Sequence, residues 1–339
     1  MISDDVIIQL NDFMPSLGTI FKSIFLQLIS GESLFQLDEI WDYLLEILGN
    51  EFNQFRFAFI QLILLLVIAS VLTRINNLFK NRQLSDLTYL LLQLSMFRLL
   101  LSIFQSMVLN IAELFDTVIS FMEILIPVFY LSVALQGQVA SANYFYYFTI
   151  LFLHAVSVLF PKVLLPAISC YVFFGFFGSL SSELKLNKIK DLFKRGILLF
   201  LKCSIGLVGG IGIVKSMVFP AIDETKAGIA VKIMKGIPGI GDVSDSVSGI
   251  MLGSARIIKE GLGGSILILM VIYMMIPVIR VFFVSLMIKI ILSVVSIAGD
   301  KKMTECADGV SEGGFLLVKS ALTFAASFFV IIALVSLCS

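Results

Sequence analysis

Charge is scarce in this chain of 339 residues: Asp, Glu, Lys and Arg together supply 14% of it. Proline (7), histidine (1) and tryptophan (1) are scarcer still. The lone histidine, His154, has no Cys or carboxylate at ligand spacing, so it reads as a partner in an interhelical hydrogen bond and not as a metal ligand. The four cysteines, Cys170, Cys203, Cys306 and Cys338, are far apart and form no CxxC pair, which excludes a disulfide scaffold and leaves them as packing residues. No nucleophile elbow, HExxH or pair of catalytic carboxylates is found, so neither an enzyme nor a bound cofactor is expected. The opening, MISDDVIIQL, lacks a basic stretch followed by an apolar one, and no signal peptide is read there.

What the chain has in abundance is apolar sequence. Hydrophobic residues make up 59%, Phe alone contributes 31 residues, and the mean hydropathy is +1.03. Apolar runs of membrane-crossing length recur from Phe57 to Leu337; about 20 such residues span a hydrocarbon core about 30 Å thick. The reading is an all-α, polytopic integral membrane helical bundle of seven or eight transmembrane helices, preceded by an amphipathic helical lead-in.

Four parts follow along the chain. Residues 1–55 are acidic, with nine carboxylates against Lys22, and carry apolar stripes at helical spacing such as Leu34, Leu37, Trp41, Leu44, Leu45 and Leu48. Such a tail does not suit nucleic acid. Residues 56–219 hold six spans, at about 57–73, 87–109, 118–135, 143–160, 163–180 and 197–219. The fourth and fifth are parted only by Pro161 and Lys162, which predicts a tight helical hairpin. Residues 220–263 form the one long internal connection, a helix–turn–helix with Gly236, Pro238, Gly239 and Gly241 at the turn. In 264–339, the run 264–298 is too long for one upright span: it is either two short spans broken near Pro277 and Arg280 or one kinked helix. The last span covers about 315–337.

Loop charge orients the chain, because Lys and Arg stay preferentially in the cytoplasm. Arg74, Lys80 and Arg82 put one loop inside, and Lys185, Lys188, Lys190, Lys194 and Arg195 put another there. A connection with Glu113 and Asp116 falls outside, and so does 220–263. Lys301 and Lys302 favour the cytoplasm, which selects the single kinked helix and seven spans.

Charges inside spans are the first functional suspects, at about 2.5–3.5 kcal/mol each near mid-helix. Arg98 in the second span and Glu123 in the third are candidates for an intramembrane pair between antiparallel neighbours. Lys202 and Lys215 sit near opposite ends of the sixth span and snorkel. The step from Gly206 to Gly210 in that span signals close helix approach, to this chain or another. With no preceding strand and no following Lys-Ser/Thr, it is not a phosphate loop.

The lead-in LFQLDEIWDYLLEILGNEFNQF running into a first span, and the stretch KGIPGIGDVSDSVSGIMLGSARIIKEGLGG at 235–264, resemble the stage III sporulation protein AE family of endospore-forming bacteria. The positions that carry the likeness are Lys235, Ile237, Pro238, Gly241, Ser244, Asp245, Leu252, Gly253, Ser254, Ile258 and Lys259. Of these, Lys235, Pro238, Gly241, Asp245 and Gly253 join Gly206 and Gly210 as candidate packing or partner residues.

The resemblance implies a multi-pass protein of the outer forespore membrane. It also implies a part in a secretion-like channel complex that joins mother cell and forespore and sustains late forespore gene expression. The expected partners are other membrane subunits of that complex and the lipid bilayer, with no nucleic acid; the oligomeric state stays open. The competing reading is a stand-alone secondary transporter of a small solute with Arg98 and Glu123 in its path. It would need internal repeats and facing broken helices, and no convincing repeat is present.

Overall fold

A computed structural model describes residues 37–75, 82–135, 139–180, 186, 188–206, 270–271, 273–295 and 301–336, and every element among them is helical. The helices are α1 (Leu37–Ile75), α2 (Arg82–Leu135), α3 (Val139–Val158), α4 (Leu165–Leu180), α5 (188–206), α6 (Tyr273–Val295) and α7 (Lys301–Ser336). A π-helical turn, Leu159–Leu164, joins α3 to α4.

Five stretches are long and apolar enough to cross a membrane: Phe52–Leu72, Leu87–Pro127, Thr149–Ser179, Tyr273–Val295 and Thr304–Phe329. The protein is thus an integral multi-pass membrane protein, with five candidate spans among the described residues where seven or eight are expected from the sequence. Part of the difference lies in two expected breaks that are not made. Residues 87–135, read as two spans around Glu113 and Asp116, belong to one helix of 54 residues. No Gly or Pro occurs between Leu84 and Ile126, and isolated charges do not end a helix whose backbone bonds are all satisfied.

The hairpin expected at Pro161 is likewise absent. The backbone stays right-handed helical on both sides of the π turn, at Val158 (φ −90°, ψ −47°) and Leu165 (φ −61°, ψ −47°). The wider turn accommodates a residue that has no N–H to give, so the chain continues instead of reversing. At the other end of the chain, Tyr273–Val295 is a single helix through Pro277 and Arg280, which removes the reading as two short spans broken there. Pro277 forgoes one backbone hydrogen bond, and the helix continues past it without a break.

Ring and side-chain contacts fix the packing. Tyr130 donates to Asn143 Oδ1 (3.0 Å), Phe115 meets Phe160 (centroids 5.7 Å) and Phe97 stacks on Phe176 (3.4 Å), so α2 runs antiparallel to the whole α3–α4 rod. Phe174 meets Phe193 and Phe160 meets Phe200, which sets α5 antiparallel to the same rod. Along α7, Glu312 touches Tyr171 and Phe324 touches Phe160, making it antiparallel to α4, whereas Phe104 beside Gly313 and Phe115 beside Phe324 make it parallel to α2. α1 packs alongside α2.

α7 is the axis of this bundle. Two thirds of its apolar stretch (67%) is buried, against 28–33% for the other four, so among the described spans it alone is covered by protein on most sides. Phe115, Phe160, Phe324 and Phe328 fill the interior beside it, each at most 2% exposed. Lipid is as apolar as these rings, so their contribution here is close contact and not escape from water. The outer face of α1 shows the same logic reversed: Phe57, Ile60, Leu64, Val67 and Val71 are exposed and apolar, as lipid requires.

Candidate functional site

The ends of four helices meet at one end of the bundle: the C-termini of α4 and α6 and the N-termini of α5 and α7. Two of the three basic segments expected to be cytoplasmic from their charge begin helices at this end. Lys188, Lys190, Lys194 and Arg195 begin α5, and Lys301 and Lys302 begin α7.

Glu312 is the centre of the ionic contacts there. Its Oε2 accepts from the hydroxyl of Tyr171 on α4 and from Lys194 Nζ on α5, the latter at 3.1 Å. One turn earlier on α7, Asp308 pairs with Lys289 of α6. Lys190, one turn before Lys194, lays its ammonium 5.2 Å from the centre of the Tyr171 ring. It reaches that position past two glycines. A Cβ at Gly175 would stand 3.4 Å from Lys190 Cε, and one at Gly309 would stand 3.8 Å from its Nζ. Two carboxylates and three ammonium groups thus tie four helices together. The carboxylate and ammonium groups of both pairs stay about a third or more exposed, so each pair by itself contributes modestly. A charge left unpaired at the edge of hydrocarbon is the costlier state.

Beneath the charges lies a node of close contact built on Gly313 and Gly314. A Cβ on Gly313 would collide with Val172 of α4 and press on Phe104 of α2. One on Gly314 would overlap Ser285 of α6 and crowd Met107 of α2 at 3.2 Å. Ser311 donates to the carbonyl of Ser285 at 2.9 Å, and Ser285 donates to that of Val281 at 2.7 Å, so the buried hydroxyls at this crossing are satisfied. Missing side chains here let three helices approach α7 at one level.

The residues singled out from the sequence fare differently. Arg98 and Glu123 are both exposed on α2, 25 residues apart on one continuous helix. That is about 37 Å along the axis, so they do not form the expected pair. Their apparent neighbourhood came from a hairpin that is not made. Gly206 is exposed and has no described atom within 4 Å of a Cβ placed on it, so the expected close approach is not made there within the described chain. Gly210, Lys235, Pro238, Gly241, Asp245 and Gly253 lie outside the described residues, as do Lys215 and Cys338. His154 is exposed and bridges no helices among the described residues; its carbonyl accepts from Ser157. Cys306 is buried as a packing residue, whereas Cys170 and Cys203 face outward. Among the described residues no group of His, Cys, Asp and Glu is placed to hold a metal ion.

Tyr171, Glu312, Asp308, Lys289 and the Gly313–Gly314 pair escape the sequence reading, which starts the last span at 315. A signal was present: Gly309 and Gly313 form the same four-residue step as Gly206 and Gly210. Nearby Asp308 and Glu312 make that step look like a loop.

The architecture is that of a polytopic helical membrane protein whose helices are clamped at one end and close-packed on a central glycine-bearing helix. This chain belongs to the Stage III sporulation protein AE family, whose model matches residues 19–339. It is accordingly a membrane protein involved in sporulation. No match was found to a curated protein or to a solved structure.

Proposed function

We propose that this protein is the membrane platform of a sporulation-specific, secretion-like complex that connects mother cell and forespore and supports late forespore gene expression. Family membership over 19–339 supplies the sporulation context. The structural observation that carries the platform reading is the filled interior. Phe115, Phe160, Phe324 and Phe328 occupy the middle of the bundle, and ion pairs close one end of it. A bundle built this way holds shape and presents its outer surface to neighbours. It offers no support for a solitary transporter, since Arg98 and Glu123, the charges such a path would use, sit on the outside of one helix.

The proposed orientation puts the clamped end in the mother-cell cytoplasm. Merging four expected spans into two removes an even number, so the loop at 74–86 and the basic segment around 188–195 remain on the same side. The segment 220–263 then lies across the membrane from them, and its Gly/Pro turn is the proposed contact for other subunits.

The test is affinity purification of the full chain in mild detergent from sporulating cells. Wild type should bring down stable membrane subunits. Gly241→Val and Val247→Asp should lose them while the protein stays in the membrane at near-normal level. Recovery of wild type with no membrane partner would overturn the reading.

A further inference from the structure

α2 shows the outside a face unlike those of its neighbours. Where α1 between Phe57 and Val71 exposes apolar side chains and a single polar one, Gln61, α2 exposes Arg98, Ser102, Gln105, Leu109, Glu113, Asp116 and Glu123. At 100° per residue these seven fall within about 80° of arc, a stripe the width of one helix–helix seam. Ser106, Asn110 and Thr117, partly buried, flank it on one side, and Ser120, also partly buried, falls within it.

Depth makes the stripe informative. Phe104 abuts Gly313, Met107 adjoins Gly314, and Phe115 packs on Phe324, so α2 from Arg98 to Asp116 runs level with the apolar stretch Thr304–Phe329 of α7. Those 18 steps cover about 27 Å, close to the thickness of the hydrocarbon core. Glu113 then lies inside the core, where lipid is a poor cover for a carboxylate, and Asp116 one turn nearer its edge. A second copy of the same face is a poor cover too. Parallel copies about a two-fold axis would set Glu113 against Glu113 and Arg98 against Arg98. The complement is a helix with the opposite order of charge.

We propose that the exposed face of α2 docks one transmembrane helix of another subunit. That helix carries a Lys or Arg level with Glu113 and Asp116, and a polar or acidic residue level with Arg98. The inference rests on the platform reading for the existence of a neighbour and adds the neighbour's chemistry. Leu109, at the middle of the stripe, supplies the apolar contact around which the charges register.

The experiment uses the purified full chain in phosphatidylcholine–phosphatidylglycerol liposomes. The four native cysteines are replaced, and a donor dye is placed on Ser95→Cys at the end of the stripe. Acceptor-labelled Leu/Ala transmembrane peptides carry a single Lys, Gln or Glu at the depth of Glu113. The Lys peptide should bind at least tenfold more tightly than the Gln or Glu peptide. Glu113→Gln with Asp116→Asn should erase that preference, whereas Leu151→Gln on the exposed side of α3 should leave it intact.

Equal binding of the three peptides would overturn the proposal. So would energy transfer between copies of the full chain that excludes the Lys peptide, since the seam would then belong to a second copy. In sporulating cells, Leu109→Cys should be shielded from a water-soluble thiol reagent; rapid labelling would mean that water covers the face, and would overturn the docking. Peptide preference is measured on the purified chain, so it can fail while subunit recovery from cells succeeds, and the reverse.

Discussion

Gly314 of α7 stands so close to Ser285 of α6 that a methyl group on the glycine would overlap the serine hydroxyl. That hydroxyl is committed to the carbonyl of Val281 and lies beside Met107 of α2, so it has little freedom to move aside. The absence of one side chain therefore sets the distance between α6, α7 and α2. The charged clamp lies directly above, because Lys289 and Asp308 belong to the same two helices, one to two turns nearer their ends.

Gly314→Ala should accordingly destabilise the bundle by about 1–3 kcal/mol, the usual cost of overpacking a filled interior. Ser285→Gly in the same chain should recover part of the loss by giving back the space. Gly206→Ala, with no described atom near its Cβ position, should be close to neutral. Thermal unfolding of the three variants in one detergent checks this ordering; equal effects of Gly314→Ala and Gly206→Ala would contradict it.

Glu312 accepts from two helices at once, so its loss should cost more than the loss of either donor. Tyr171→Phe removes one hydrogen bond and should cost about 1 kcal/mol. Glu312→Leu leaves both Tyr171 and Lys194 without their acceptor and should cost more. Combining it with Lys194→Met should then restore stability toward that of the Lys194→Met single variant, because no unpaired ammonium remains in that position. A double-mutant cycle for Glu312 and Lys194 should give a coupling of about 0.5 kcal/mol or more. Additive effects would remove Lys194 from the clamp.

For Arg98 and Glu123 the same kind of cycle should give the opposite result. Groups separated by about 37 Å of one helix share no contact, so coupling should stay within about 0.3–0.5 kcal/mol. Strong coupling would return the two residues to a pair and with it the hairpin that α2 replaces.

Topology yields to labelling in a background without the native cysteines. Asn187→Cys should react with an impermeant thiol reagent only after the membrane is permeabilised, and Gln136→Cys should react in intact cells. The opposite pattern would invert the orientation. Asn110, which the sequence places at the margin of an outside connection, lies in the middle of α2 and half-buried, so a cysteine there should label poorly from either side.

Much of this molecule is written in its composition. With 14% charge, 59% hydrophobic residues and apolar runs of about 20 residues, the chain calls for helices crossing a bilayer, and the basic segments that orient those helices can be counted directly. The likeness of 235–264 to a sporulation family is also a property of sequence alone, and the family match over 19–339 agrees with it.

What only the tertiary structure decided is where the helices stop and what they touch. Glu113 and Asp116 look like a loop because charge and loops usually go together, yet nothing around them interrupts helical hydrogen bonding. Pro161 looks like a reversal, yet a π turn absorbs it. Gly309, Asp308, Glu312, Gly313 and Gly314 look like a polar lead-in to the last span, yet they carry its ion pairs and its tightest glycine contacts. The physical reason is common to all three cases. A local pattern states what a residue costs where it stands, and only the neighbouring helices determine whether that cost is met: by Lys194 and Tyr171 for Glu312, by Ser285 and Met107 for the space at Gly314.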